Sequence, residues 1–112
     1  ENLGTLAVEQ VSRFHATHAV LTVGAIEPDG VFDYNLNEAE IARAMAAQSR
    51  HVTVLADSGK FGRSALFQVC PLADIDRLVL NEAPEGAMAE ALRSAEVEMI
   101  LAPLTGAIAK IA

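Results

Sequence analysis

Continuous apolar runs recur along this chain and are separated by segments of mixed polarity. Runs of this length, without polar alternation, are typical of strands buried on both faces of a parallel sheet. The predicted strands are His18–Ala25, Val52–Ala56, Arg77–Leu80 and Val97–Ala102. Four such strands in sequence predict that a sheet forms the centre of the domain.

Helical spacing of apolar residues appears before and between these runs. The predicted helices are Leu3–Phe14, Asn35–Ser49 and Glu85–Ala95. The second helix carries two overlapping start signals, because Asn35 with Glu38 and Asn37 with Glu40 both have cap-to-N3 spacing. Strands that alternate with helices predict an α/β fold with an open parallel sheet and helices on both faces.

The connecting segments carry weaker signals. Pro28–Gly30 predicts a turn, and Pro71–Ile75 predicts one turn of helix. For Arg63–Val69 we expect a short helix or an irregular turn. Pro103–Ala112 is predicted to be a tail, either irregular or helical from Gly106.

Composition narrows the possible classes of protein. The 112 residues are 52% apolar, which suits one domain with a substantial core. The net charge of −7, without a stripe of Lys and Arg, argues against direct binding of DNA by these residues. The single cysteine, Cys70, indicates a reducing compartment and is interpreted as a buried structural thiol. We therefore expect a cytoplasmic protein, and the most apolar stretch, Met99–Ala112, is too interrupted to span a membrane.

The most informative chemistry follows the strand Val52–Ala56. That strand runs into Asp57 and then into Ser58, Gly59 and Lys60. Ligands of open α/β sheets bind beyond the carboxyl ends of strands, where backbone N–H groups and an ammonium group favour an anion. The sequence is not a Walker A loop, because neither Ser nor Thr follows the lysine.

Each candidate in this loop has a structural alternative. Lys60 is expected to bind a phosphate, or else it is an exposed lysine on a turn. Asp57 orients Lys60 or accepts from a sugar hydroxyl, or else it caps the turn. Arg63 is a second candidate for phosphate binding, or a partner in a surface ion pair.

Three further candidates surround the second predicted helix. Glu38 lies in its first turn and would share a crevice with Lys60 if the two preceding strands are neighbours; alternatively it belongs to a capping box. Asn35 either binds ligand hydroxyls or only caps the helix. Gly24 either admits a ligand close to the backbone or simply ends a strand. No catalytic residue, metal ligand or cofactor is predicted.

The same residues carry a family resemblance. Asp57, Lys60, Phe61 and Gly62 match the pattern Asp, any residue, Ser, Lys, Phe, Gly of DeoR-type bacterial transcription regulators, with Gly59 where that family usually has Ser. The segment VGAIEPDGVFDYNLNEAEIARAM resembles a second motif of the family, with Ala42 in place of its usual Lys. The resemblance extends from about Leu3 to Leu101.

This resemblance implies an effector-sensing domain with a fold like that of sugar-phosphate isomerases and CoA transferases. Residues 1–112 would be a partial, N-terminally truncated sensor domain, and the winged helix-turn-helix that contacts DNA would lie outside them. The implied effector is a phosphorylated sugar or polyol, and the implied assembly is a homo-oligomer. Two alternatives are an aldose–ketose phosphate isomerase that uses Glu38 with Lys60, and an oligomerisation domain without a ligand.

Overall fold

The computed structural model describes residues 3–103 and 109–111. The helices in these residues are α1 (Leu3–Val11), α2 (Leu36–Ala47) and α3 (Gly86–Ser94). The strands are β1 (Ala16–Thr22), β2 (Ala25–Glu27), β3 (Gly30–Asp33), β4 (Ser49–Leu55), β5 (Phe67–Cys70), β6 (Arg77–Leu80), β7 (Glu98–Leu101) and β8 (Ala109–Ile111). Two 3₁₀ turns span Ser58–Lys60 and Leu72–Asp74.

The main sheet has the strand order β1-β4-β6-β7-β8. Its first four strands are parallel, and β8 is antiparallel to β7. The predicted α/β class with a parallel sheet is therefore confirmed. The helices α2 and α3, however, both pack on one face of the sheet, whereas the sequence predicted helices on both faces. The predicted strand His18–Ala25 is divided, because β1 ends at Thr22 and the chain turns at Gly24 before it enters β2.

A second, antiparallel sheet of order β2-β3-β5 was not predicted. The expected turn at Pro28–Gly30 is present, and it connects β2 to β3 as a hairpin. The prediction of a helix or irregular turn over Arg63–Val69 is wrong at its C-terminal end, because Phe67–Cys70 pairs with β3. Strands this short carry too little periodicity to be recognised, and they form because distant partners align them.

The predicted tail is also partly wrong. Ala109–Ile111 forms a strand on the edge of the main sheet, in register with Met99–Leu101. The expectation of a helix starting at Gly106 falls partly outside the described residues.

The core lies on one face of the main sheet. On this face the strand residues alternate inward, and they meet α2 through Ala39 and Ala42 and α3 through Leu92. The strand residues concerned are Ala19, Leu21, Val52, Val54, Leu78 and Leu80. Because β1, β4, β6 and β7 follow one another in a single direction, right-handed connections place α2 and α3 on this same face.

The opposite side of the sheet is here named the open face. By strand alternation and register it includes His18, Val20, Thr22, His51, Thr53, Leu55, Arg77, Val79, Glu98 and Ile100. Val20 is 54% exposed and Leu55 is 42% exposed. Thr53 is buried beneath its neighbours, and its hydroxyl bonds to Nε2 of His18 at 2.8 Å. Among the described residues, no helix is long and apolar enough to cross a membrane.

Candidate functional site

The end of β4 forms a capped turn. The backbone of Ala56 still bonds to the Val79 carbonyl at 3.0 Å, after which the chain leaves the sheet at Asp57. The Asp57 side chain caps the 3₁₀ turn, since its Oδ1 accepts a hydrogen bond from Gly59 N at 2.8 Å. The capping role that the sequence offered for Asp57 is therefore present, and a role in ligand binding remains a prediction.

Lys60 ends this turn and points towards the same carboxylate. Its Nζ lies 3.7 Å from Asp57 Oδ2, and the Lys60 side chain is 30% exposed. An ion pair this long and this open to solvent contributes little stability. It biases the position of the ammonium group and leaves donors of that group available to an anion.

Asn81 holds the turn against the neighbouring strand. Its Oδ1 accepts a hydrogen bond from Ser58 N at 2.7 Å, across 23 positions of sequence. In the sequence, Asn81 is only one residue of the short segment between the predicted strand Arg77–Leu80 and the predicted helix Glu85–Ala95. The signal was its position directly after β6, since the carboxyl ends of neighbouring parallel strands meet at one edge of a sheet.

These groups converge on a cleft at the carboxyl ends of the parallel strands, here named the strand-end cleft. Its volume is about 420 Å³, within the range of small-ligand sites. It is lined by Thr22, Val23, Leu55, Ala56, Asp57, Lys60, Val79, Leu80, Asn81 and Ala102. The lining combines an ammonium group, a carboxylate, an amide and a hydroxyl on an apolar floor, which suits an anionic ligand that also carries hydroxyls.

Glu38 lies in a different cleft. This α2 cleft, of about 280 Å³, lies between β1 and α2 and is lined by Val20, Leu21, Thr22, Asp33, Glu38, Ile41, Ala42 and Met45. β1 and β4 are neighbours, as the shared-crevice hypothesis required. Glu38 and Lys60 nevertheless open into two adjoining clefts that have only Thr22 in common.

Asn35 acts as the N-cap of α2. Its Oδ1 accepts a hydrogen bond from Glu38 N at 3.0 Å, and its backbone is extended, as expected of a cap. The predicted cap is thus confirmed. Among the described residues, Asn35 does not line either cleft.

Gly24 and Arg63 also lie outside both clefts. A Cβ at Gly24 would come within 2.8 Å of the Tyr34 ring, so the space over this glycine is already filled by a side chain of the protein. Arg63 is exposed, in the loop that follows Gly62. Contact of Gly24 or Arg63 with a ligand remains a prediction.

The position where the resembled family usually carries Lys is buried. Ala42 is 8% exposed and faces the core. The adjacent Arg43 points elsewhere, since its Nη2 donates to the carbonyl of Gln68 in β5. The Arg43 side chain thus bonds to the antiparallel sheet β2-β3-β5 and lines neither the strand-end cleft nor the α2 cleft.

The remaining reactive group is Cys70, which is 7% exposed. Burial, together with the nearby carboxylate of Asp74, raises the pKa of the Cys70 thiol to about 11. A thiol with this pKa is protonated at neutral pH and a poor nucleophile, which agrees with the predicted structural role. Across residues 3–103 and 109–111, no group of three or more His, Cys, Asp or Glu side chains has a geometry that would hold a metal ion.

Comparison with known proteins gives a consistent result. A family model described as the DeoR C-terminal sensor domain matches residues 1–82. The HTH-type transcriptional repressor CsqR of Escherichia coli K12 is 33% identical over 100 residues, which cover 88% of this chain and 38% of CsqR.

Two other relatives are similar to the same region. The glycerol-3-phosphate regulon repressor of Haemophilus influenzae is 33% identical over 85 residues, or 75% of this chain and 33% of the repressor. A putative aga operon transcriptional repressor of Escherichia coli O157:H7 is 33% identical over 99 residues, or 88% of this chain and 37% of that protein. The chain thus spans less than two fifths of the length of these relatives.

Proposed function

Because this chain belongs to the DeoR C-terminal sensor domain family, we propose that it binds a phosphorylated sugar or polyol in the strand-end cleft and thereby regulates transcription. Family membership supports the regulatory sensing role. The nature of the ligand is our own inference. The observation that carries it is the meeting of Lys60, Asp57 and Asn81 at the carboxyl ends of the parallel strands.

Lys60 is assigned to the phosphate. An ammonium group that donates to a phosphate oxygen forms a charge-assisted hydrogen bond, roughly twice as strong as a neutral one. Asp57 limits the motion of Lys60 from 3.7 Å away. Asp57 Oδ1 already accepts from Gly59 N, and Oδ2 lies 3.7 Å from Lys60 Nζ. The Thr22 hydroxyl and the second lone pair of Oδ2 are therefore assigned to ligand hydroxyl groups.

An isomerase is not supported. The relatives are transcriptional repressors, which are not enzymes. The geometry points the same way, since proton transfer in an aldose–ketose isomerase needs a base within hydrogen-bond reach of the reacting carbon. Glu38, the candidate base, lines the α2 cleft rather than the strand-end cleft that contains Lys60.

Regulation follows if the ligand prefers one state of the whole protein. In this proposal the longer protein is cytoplasmic, assembles as a homo-oligomer and contacts DNA through a separate domain. A ligand shifts the equilibrium between two states only by as much as its affinities for them differ. The strand-end cleft is where that difference in affinity would arise.

The first test is a thermal-shift screen with sugar phosphates, polyol phosphates and their unphosphorylated counterparts. It uses the 112-residue domain and the same domain extended N-terminally by its natural flanking sequence. A ligand present at 100 times its dissociation constant should stabilise the domain by about 2.7 kcal/mol. For a domain of this size, that corresponds to a rise in Tm of about 10 °C or more.

The decisive variant is Lys60→Ala. Loss of a hydrogen bond to a charged group should weaken binding by about 10- to 100-fold. Arg93→Ala is the matched control, because it removes one positive charge from an exposed pair with Glu90 on α3, outside the cleft. A Tm rise that survives Lys60→Ala would place the ligand elsewhere, and no rise in either domain would favour the oligomerisation alternative.

A further inference from the structure

The backbone of the turn after β4 has its N–H groups bonded within the protein. Ser58 N donates to Asn81 Oδ1 at 2.7 Å. Gly59 N donates to Asp57 Oδ1 at 2.8 Å, and the next two N–H groups along the chain donate to carbonyl oxygens of the same turn. The sequence predicted that backbone N–H groups here would help to bind an anion. Since the N–H groups of positions 58–61 are occupied, the donors for an anion come from side chains instead.

The Asn81 amide has a fixed orientation and a free donor end. Because a backbone N–H group only donates, the atom that faces Ser58 N is the amide oxygen, and Nδ2 lies on the other side of the planar amide. Across residues 3–103 and 109–111, Nδ2 of Asn81 has no hydrogen-bond partner.

The same nitrogen is accessible from the cleft. Asn81 is half-buried and lines the strand-end cleft. In the described part of the chain, no buried or half-buried residue contains a solvent-inaccessible side-chain nitrogen or oxygen that lacks a partner. Nδ2 of Asn81 is therefore accessible, and its two N–H groups are available to a ligand.

The charges of the strand-end cleft make position 81 important for an anionic ligand. The lining contains one cation, Lys60, and one anion, Asp57, with Nζ and Oδ2 3.7 Å apart. Asn81 adds two donors to this balanced pair and adds no charge. A carboxylate at position 81 would instead place two negative charges beside one ammonium group, and the cleft would repel an anion.

Lys60 and Asn81 enter the cleft from two different strands. Lys60 follows β4 and Asn81 follows β6, and these two strands are parallel neighbours. Donors at two neighbouring strand ends can bond to two different oxygens of one phosphate group. We propose that Asn81 Nδ2 donates to the ligand phosphate together with Lys60 Nζ, and that Asn81 thereby makes the cleft specific for an anionic ligand. This inference rests on the proposed function, because it assigns a second phosphate contact to the same site.

The first test follows the side-chain amide of Asn81 by NMR in the ¹⁵N-labelled chain. Its signals are identified as those absent from the spectrum of Asn81→Asp. The probes are inorganic phosphate and glycerol 3-phosphate, with glycerol as the uncharged counterpart, all at matched ionic strength. Both phosphates should shift the Asn81 side-chain signals in a saturable manner, and glycerol should not. The side-chain amide of Asn37, in the first turn of α2 and outside both clefts, should stay unchanged with every probe.

Substitutions provide the second readout, as dissociation constants for the two phosphates at a temperature where every variant is folded. Asn81→Ala removes the donors without changing the charge and should weaken binding by roughly 10-fold or more. Asn81→Asp keeps an oxygen for Ser58 N, yet it should weaken binding further, because it replaces the donors with a negative charge. Asn37→Asp is the matched control, since it makes the same chemical change outside the cleft, and it should leave the dissociation constants nearly unchanged.

The outcomes separate this inference from the function on which it rests. Saturable shifts at the Asn81 amide that disappear in Lys60→Ala support both. Phosphate binding that Lys60→Ala abolishes, while the Asn81 amide signals stay in place and Asn81→Ala binds as tightly as the unmodified chain, overturns this inference alone. Absence of phosphate binding to the unmodified chain overturns the assignment of a phosphate to the cleft, and this inference with it.

Discussion

Replacing Asn81 with Ala tests whether a single side chain from a neighbouring loop positions the ligand-binding turn. The substitution removes the oxygen that accepts from Ser58 N at 2.7 Å, in a partly buried environment. A lost hydrogen bond costs about 1 kcal/mol, and a donor left unsatisfied costs up to about 3 kcal/mol. Water can enter the open cleft and partly replace the oxygen, so we expect a loss of about 1 to 2 kcal/mol.

The assay is urea unfolding at pH 7, followed by circular dichroism and supported by thermal scans. A loss of 1 kcal/mol should lower Tm by roughly 4 to 8 °C in a domain of this size. Asn37→Ala is the matched control, because it makes the same chemical change at an exposed position in the first turn of α2. Alanine is a good helix former, so this control should be neutral or slightly stabilising.

Asn81→Asp separates the role in stability from the role in binding. A carboxylate keeps an oxygen acceptor for Ser58 N, so most of the stability should remain. The added negative charge lies in the cleft with Asp57 and opposes an anionic ligand, so affinity for a sugar or polyol phosphate should fall. If Asn81→Ala unfolds at the same urea concentration as the unmodified chain, the hydrogen bond does not support the turn and this reasoning fails.

Substitution or chemical modification at four other positions tests the stability and reactivity of the chain. At Gly30, φ is +142° and a Cβ would lie 2.4 Å from the Cys70 carbonyl oxygen, so Gly30→Ala should lower the free energy of unfolding by about 2 kcal/mol or more. Gly62→Ala, at φ +73° with open space around it, should cost only about 1 kcal/mol, and equal urea midpoints would refute the steric argument. Asn35→Ala should cost about 1 kcal/mol through loss of the N-cap of α2, while Asn35→Ser should retain most of that stability. Cys70 should react slowly with a thiol reagent at pH 8 until urea unfolds the chain; rapid native-state reaction would contradict its burial. Because its pKa is raised from 9.0 to about 11 on folding, the stability it contributes is present below pH 9 and should be lost between pH 9 and 11, as seen in urea midpoints across that range.

The amino-acid sequence by itself determined the features that depend on neighbouring residues. The helices α1, α2 and α3 follow from apolar spacing, and the strands β4, β6 and β7 follow from short apolar runs. The Asn35 cap and the turn after Asp57 are equally local, because each is made by a side chain that bonds to a backbone N–H two or three residues further on. The family motif around Lys60 could be recognised for the same reason.

Only the tertiary structure decided which distant groups meet. The strands β2, β3 and β5 are too short to have a recognisable period, and they exist because each pairs with a partner along the fold. Asn81 joins the site because parallel pairing brings the ends of β4 and β6 together. Glu38 lines a cleft other than that of Lys60, because α2 packs beside β1 and forms the α2 cleft there. Hydrogen bonds and clefts of this kind depend on strand order and packing across many residues of sequence, and a local pattern contains no information about either.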